Sequence, residues 1–98
     1  MEKLTAQERV FEIVGILVEH HTEGMSNKEL SGVLQTTEAT ISRDMSVFEK
    51  YGWITRSNGG RLRLSPEFGS LAGKIIKNYQ KAKLELTKAE AEYLSTME

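Results

Sequence analysis

From Thr5 onward, Val10, Phe11, Ile13, Val14, Leu17 and Val18 recur at three- and four-residue steps, the period of a helix buried along one side. The spacing predicts a first helix ending near His21, opened by a capping box of Thr5 and Glu8. Ser26 and Glu29 repeat that box, and Leu30, Val33 and Leu34 supply the apolar face of a second helix of only about nine residues. Thr36-Thr37 then offers a cap for a third helix, on which Ile41, Met45 and Phe48 form the inward stripe. It closes at Tyr51-Gly52, where glycine suits a left-handed cap. After Gly52 the period changes to two. Trp53-Ile54-Thr55-Arg56 and the alternating Arg61-Leu62-Arg63-Leu64 flank Ser57-Asn58-Gly59-Gly60, which predicts a β-hairpin with a tight turn. Ser65-Pro66-Glu67 starts a fourth helix, with proline at its first position. Along it, Ile75, Tyr79, Ala82, Leu86, Ala89 and Tyr93 are spaced as a short heptad seam. Thr87 and Glu90 repeat the capping pattern there, so this segment either runs through or breaks near Thr87, and Gly69, Ser70 and Gly73 weaken its first turns.

The expected fold is therefore mainly α with a small β-hairpin. It comprises a domain over residues 1–65 and a C-terminal helical segment over 66–98. Ninety-eight residues are one domain's worth of chain, which argues against a two-lobed enzyme. A hydrophobic fraction of 39% beside 28% charged residues is that of a folding chain, not a disordered tail. The absence of cysteine removes disulfides, thiolate zinc sites and cysteine nucleophiles together. The apolar runs are too short to span a membrane, and Met-Glu-Lys-Leu-Thr does not read as a signal peptide, so a cytoplasmic location is expected.

Charge is distributed unevenly. Residues 1–39 carry three basic side chains against seven acidic, residues 40–65 carry five against two, and residues 66–98 carry five of each. The total of −1 thus hides a basic middle, and partners respond to the local field. A short helix, a turn and a second helix with a polar outer face, followed by a hairpin, is the arrangement of a winged helix-turn-helix. A helix lying in the major groove needs small or hydrogen-bonding residues outward and apolar anchors inward. The third helix, about 37–51, meets this requirement. Thr37, Glu38, Thr40, Ser42, Arg43 and Ser46 face away from Ile41, Met45 and Phe48. Ser26 and Asn27 join them from the start of the second helix. The wing, about 53–64, adds Arg56, Asn58, Arg61 and Arg63 for the backbone or minor groove.

Blander readings stand beside these. Arg43 also has Glu38 and Asp44 as pairing partners across a helical turn, an exposed interaction worth under about 1 kcal/mol. The wing arginines also suit a solvated hairpin face, and Trp53 suits packing rather than base stacking. His20 and His21 point about 100° apart on a helix and lack a third ligand, so they suit a helix-end cation better than a metal. No serine has a base in a recognisable motif, and no metal or cofactor is expected.

Residues 9–73 resemble the N-terminal winged domain of IclR-type bacterial regulators. The resemblance rests on Gly24-Met25-Ser26-Asn27-Lys28-Glu29-Leu30, Ala39-Thr40-Ile41-Ser42-Arg43, Glu49-Lys50-Tyr51-Gly52-Trp53-Ile54 and Gly59-Gly60-Arg61-Leu62-Arg63-Leu64. The stretch from Thr40 to Met45 with Gly52-Trp53-Ile54-Thr55-Arg56 is also similar to the DeoR-type domain, in which an arginine usually stands at the place of Ser42. Both resemblances imply DNA binding. They imply no small-molecule effector, because the ligand-sensing domain usual in those families is replaced here by a helical tail, as in a small phage-like regulator.

The function expected is a sequence-specific, double-stranded DNA-binding transcriptional regulator rather than an enzyme. It is expected to act as a homodimer, because one short helix reads only a few base pairs. Dimerisation is assigned to the seam of Ile75, Tyr79, Ala82, Leu86, Ala89 and Tyr93, against the alternative that the tail folds onto the first helix of its own subunit. The rival function is a winged-helix protein-interaction module that binds no DNA, consistent with the acidic first third.

Overall fold

A computed structural model of the chain describes residues 3–57 and 59–97. Its elements run α1 (Ala6–Glu19), α2 (Asn27–Val33), α3 (Glu38–Lys50), β1 (Ile54–Arg56), β2 (Leu62–Leu64) and α4 (Pro66–Ser95). Contacts within the chain fall into two units, Met1–Phe68 and Gly69–Glu98. Among the described residues no helix is long and apolar enough to cross a membrane.

Local chemistry sets the helix starts. Thr5 and Ser26 each accept a hydrogen bond from the backbone N–H three residues on, at 3.1 and 3.0 Å, while Glu8 and Glu29 reach back to the cap N–H at 2.9 Å. These capping boxes satisfy donors that a helix start otherwise leaves orphaned. Hydrogen bonding from the Thr5 backbone, reinforced by its side chain, holds the Glu8 carboxyl below the ordinary range. The Ser26 backbone and then its side chain do the same for Glu29, to which the charge of Arg61 adds. Folded-state pKa values lowered in this way contribute stability above the unfolded value, about 4.3, which is lost as pH falls through the lower folded values. The double variant Glu8→Gln/Glu29→Gln keeps an acceptor at each cap but cannot titrate. Thermal unfolding compared at pH 6 and pH 3 should therefore show a smaller acid loss in the variant. An equal loss in both proteins would remove the caps from the acid response.

The end of α3 is equally specific. Gly52 takes φ +71°, and its N–H bonds to the Glu49 carbonyl at 3.0 Å while Trp53 N–H bonds to Phe48 O at 2.9 Å. This is a Schellman ending, and its hydrophobic contact is Trp53 against Phe48, edge to face at 6.1 Å. Phe68, in the first turn of α4, meets the same indole at 4.8 Å. Trp53 is thus a packing residue. Ser65 caps α4 by accepting from Phe68 N–H at 3.1 Å, and its hydroxyl also donates to Gly52 O.

The two strands pair antiparallel, with Ile54 opposite Leu64, Thr55 opposite Arg63 and Arg56 opposite Leu62. Gly59 and Gly60 both take positive φ at the turn; Asn58, between Ser57 and Gly59, lies outside the described residues. Leu62 also exchanges two backbone hydrogen bonds with Met25, at 3.0 and 2.7 Å, so the segment before α2 acts as a third rung. Gly24 makes that approach feasible. It has φ +72°, and a Cβ there would stand 2.9 Å from Leu62 O.

The core consists of Ile13, Leu17, Met25, Leu30, Leu34, Ile41, Met45, Phe48, Ile54, Leu62 and Leu64. Val10 and Val14 pack half-buried against it, and three other apolar positions expected in the helical core stripes are exposed. Phe11 and Val18 are exposed because, at about 100° per residue, they sit together to one side of the Val10, Ile13, Val14 and Leu17 stripe. Val33 is exposed because α2 turns Leu30, Ser31 and Leu34 inward instead, and the buried Ser31 hydroxyl donates to Lys28 O at 2.8 Å. The break considered near Thr87 does not occur. Thr87 donates its hydroxyl to Lys83 O at 2.9 Å within α4, a back-bond that leaves it no role as a cap.

Candidate nucleic-acid interface

The outer face of α3 is built on its inner one. With Ile41, Met45 and Phe48 buried, the helical period turns Glu38, Ser42, Arg43 and Ser46 to solvent and leaves Thr40 half-buried. Thr37 is the N-cap. Its Oγ1 accepts from Thr40 N–H at 3.1 Å and donates to Thr40 Oγ1 at 2.9 Å. Arg43 donates to that same Thr40 hydroxyl at 3.4 Å, so the alternative pairing with Glu38 or Asp44 is not the one formed. Asp44 is engaged elsewhere, by Arg9 of α1 through Nε at 2.7 Å and Nη2 at 3.0 Å. Arg9 also donates to Leu4 O at 3.2 Å. This forked pair fixes the rotation of α3 relative to α1, and with it the face that α3 presents.

The start of α2 meets that face. Asn27 donates through Nδ2 to Ser42 Oγ at 3.1 Å, and Ser46 donates to the Ser42 carbonyl at 3.1 Å. The Oδ1 of Asn27 is buried and has no hydrogen-bond partner among the described residues. Ser26 is occupied as a cap. At the N-terminus of α3 lies a cleft of about 470 Å³ lined in part by Lys3, Arg9, Gln35, Thr37, Thr40 and Arg43. Gln35, in the turn between α2 and α3, takes φ +53°, a left-handed conformation that a side chain adopts at some cost. Lys3, Arg43 and a helix N-terminus at one cleft make a setting suited to an anion, while the charge of Arg9 there is answered by Asp44.

The hairpin arginines behave differently from one another. Arg56 is held by Glu49 of α3 at 3.1 Å from Nε and 3.0 Å from Nη2, so part of its charge is answered within the protein. Arg61 donates to the carbonyls of Glu23 and Gly24 at 2.8 and 2.9 Å and pairs with Glu29 at 2.9 Å. It acts as a clamp between β2 and the loop entering α2, which takes up the donors that a phosphate contact would use. Arg63 is half-buried, and its Nε is buried without a hydrogen-bond partner among the described residues. His20 Nδ1 lies 3.2 Å from Glu23 at the end of α1. Among the described residues no three His, Cys, Asp or Glu side chains cluster as a metal site would need.

The sequence-predicted set is thus partly assembled. Ser26, Asn27, Thr37, Glu38, Thr40, Ser42, Arg43 and Ser46 share the α2 and α3 surface, while Arg61 is drawn into the loop. The residues that sequence reasoning missed are Arg9, Asp44, Glu23 and Gly24. The one legible signal was Gly24 just ahead of a capping box, since glycine there marks a close backbone approach. In α4, Ile75, Tyr79, Ala82, Leu86, Ala89 and Tyr93 are all exposed. The chain matches no protein-family model, no curated protein and no solved structure.

Proposed function

We propose that the chain is a sequence-specific double-stranded DNA-binding regulator of the winged helix-turn-helix type. In this reading α3 enters the major groove and the hairpin lies over the adjacent backbone. The observation that carries it is the α3 surface: a solvent-facing row of Ser42, Arg43 and Ser46, backed by Asn27, leading into a cationic cleft at the helix start. Short hydroxyl side chains admit a helix close to base edges, and arginine is the usual bidentate partner of guanine. Lys3 and Arg43 at the cleft suit a flanking phosphate. Arg63 serves the backbone, whereas Arg61 serves the fold. Two copies acting on two half-sites supply the length of sequence that one helix cannot read.

A second reading is favoured by one feature. Val10, Val47, Phe48, Tyr51 and Trp53 line an apolar cleft of about 250 Å³, the kind of surface that a protein partner uses. Titration of a labelled random-sequence duplex separates the two readings. DNA binding predicts association at about 50 mM salt that weakens as salt rises, with a log–log slope of magnitude at least about 2 for two or more neutralised phosphates. No association at that salt favours the protein-interaction reading.

A further inference from the structure

We infer that α4 pairs with α4 of a second copy in antiparallel orientation, crossing near Leu84. The seam of Ile75, Tyr79, Ala82, Leu86, Ala89 and Tyr93 is exposed in a helix that continues to Ser95, and none of the residues of α4 is buried. Its spacing of 4, 3, 4, 3 and 4 reads the same in both directions. An antiparallel partner centred on Leu84 therefore sets Tyr79 opposite Ala89, Leu86 opposite Ala82 and Ile75 opposite Tyr93. Each alanine then receives a large side chain, which is how facing layers fill space without voids. A parallel pair sets Tyr on Tyr and Ala on Ala, bulk against bulk beside gaps.

Charge favours the same orientation. From Gly69 to Leu84 the helix holds Lys74, Lys77, Lys81 and Lys83 and no acid, whereas from Glu85 to Met97 it holds Glu85, Glu90 and Glu92 against Lys88 alone. Antiparallel pairing lays each basic half along the partner's acidic half. Parallel pairing lays like on like.

This inference deepens the reading of the chain as acting in pairs on DNA, but it is tested without DNA. A chain that pairs and binds no duplex loses that reading and keeps this one. The protein has no cysteine, so Lys74→Cys and Ser95→Cys each give the full chain a single spin-label site. In the antiparallel pair, position 74 faces position 94 of the partner. Two labels at 74 are then twenty residues apart along the axis, about 30 Å at roughly 1.5 Å per residue. Mixing the two labelled variants should add a short separation, with helix axes about 10 Å apart. A parallel pair reverses the pattern, short for 74 with 74 and long for 74 with 95. That reversal, or the absence of any intermolecular distance, overturns the inference. Leu86→Glu, at an exposed position that the fold does not need, should erase both distances; their survival places the contact elsewhere and equally overturns it.

Discussion

Replacing Ile41 by alanine is expected to remove about 3 to 4 kcal/mol of stability, more than any surface change in this protein. Ile41 is fully buried on the inner face of α3, in a core that also holds Leu30, Leu34 and Met45. Truncation loses the transfer free energy of three carbon atoms and leaves a cavity that a packed interior fills only in part. A domain of this size is stable by roughly 0.05 to 0.15 kcal/mol per residue, so the loss is a large share of the whole. At about 4 to 8 °C per kcal/mol, the midpoint should fall by roughly 12 to 32 °C. The sole tryptophan, Trp53, packs between Phe48 and Phe68, so its fluorescence reports on this domain rather than on the exposed length of α4. A loss below about 1 kcal/mol would mean that α3 is not anchored by this stripe.

The Arg9–Asp44 pair carries the next largest effect. Its side chains are only 13% and 10% exposed, and the contact spans 35 positions in sequence. Exposed ion pairs contribute under about 1 kcal/mol, but removing one partner of a buried pair leaves the other charge desolvated at about 3 to 5 kcal/mol. With this intermediate exposure, Asp44→Ala should cost about 2 to 4 kcal/mol, toward the buried limit. Most of that cost is the stranded guanidinium. Arg9→Met combined with Asp44→Ala should therefore be little worse than Asp44→Ala alone, and a double-mutant cycle in urea should return a coupling of at least about 1.5 kcal/mol. Strict additivity would show that the two helices are held by apolar packing alone. Arg9→Lys keeps the charge and loses the fork, so it should recover only part of the difference.

These two sites differ in how far the sequence announced them. Ile41 was legible because a core stripe is a local pattern: its neighbours Met45 and Phe48 recur one helical turn apart. The capping boxes at Thr5 and Ser26 and the glycine ending of α3 were legible for the same reason, since each is settled within four or five residues. The Arg9–Asp44 fork was not, because nothing within one turn of either residue refers to the other. The Met25–Leu62 rung and the Arg61 clamp on Glu23, Gly24 and Glu29 likewise exist only once the hairpin has folded against the loop before α2. Arg61 looked like a wing cation in a pattern of alternating residues, and the backbone carbonyls that bind it carry no sequence signature. Thr87 shows the opposite failure. A capping pair was visible there, but a threonine inside a helix satisfies its hydroxyl on the preceding turn as readily as it caps a new one.

The surface of α3 depends on both kinds of information. Period placed Ser42, Arg43 and Ser46 outward, and the long-range contacts of Arg9 and Asn27 fix which way that row faces. Selection of bound duplexes from a random pool, run with the full chain and with Arg43→Ala, tests its role most directly. A two-fold symmetric motif is expected for the full chain. In Arg43→Ala the preference at the strongest positions should flatten, by about 1 to 3 kcal/mol per contacted base pair, while the flanking preference is retained. A pool that emerges without enrichment, or a motif that Arg43→Ala leaves unchanged, would contradict the assignment of α3 as the reading helix.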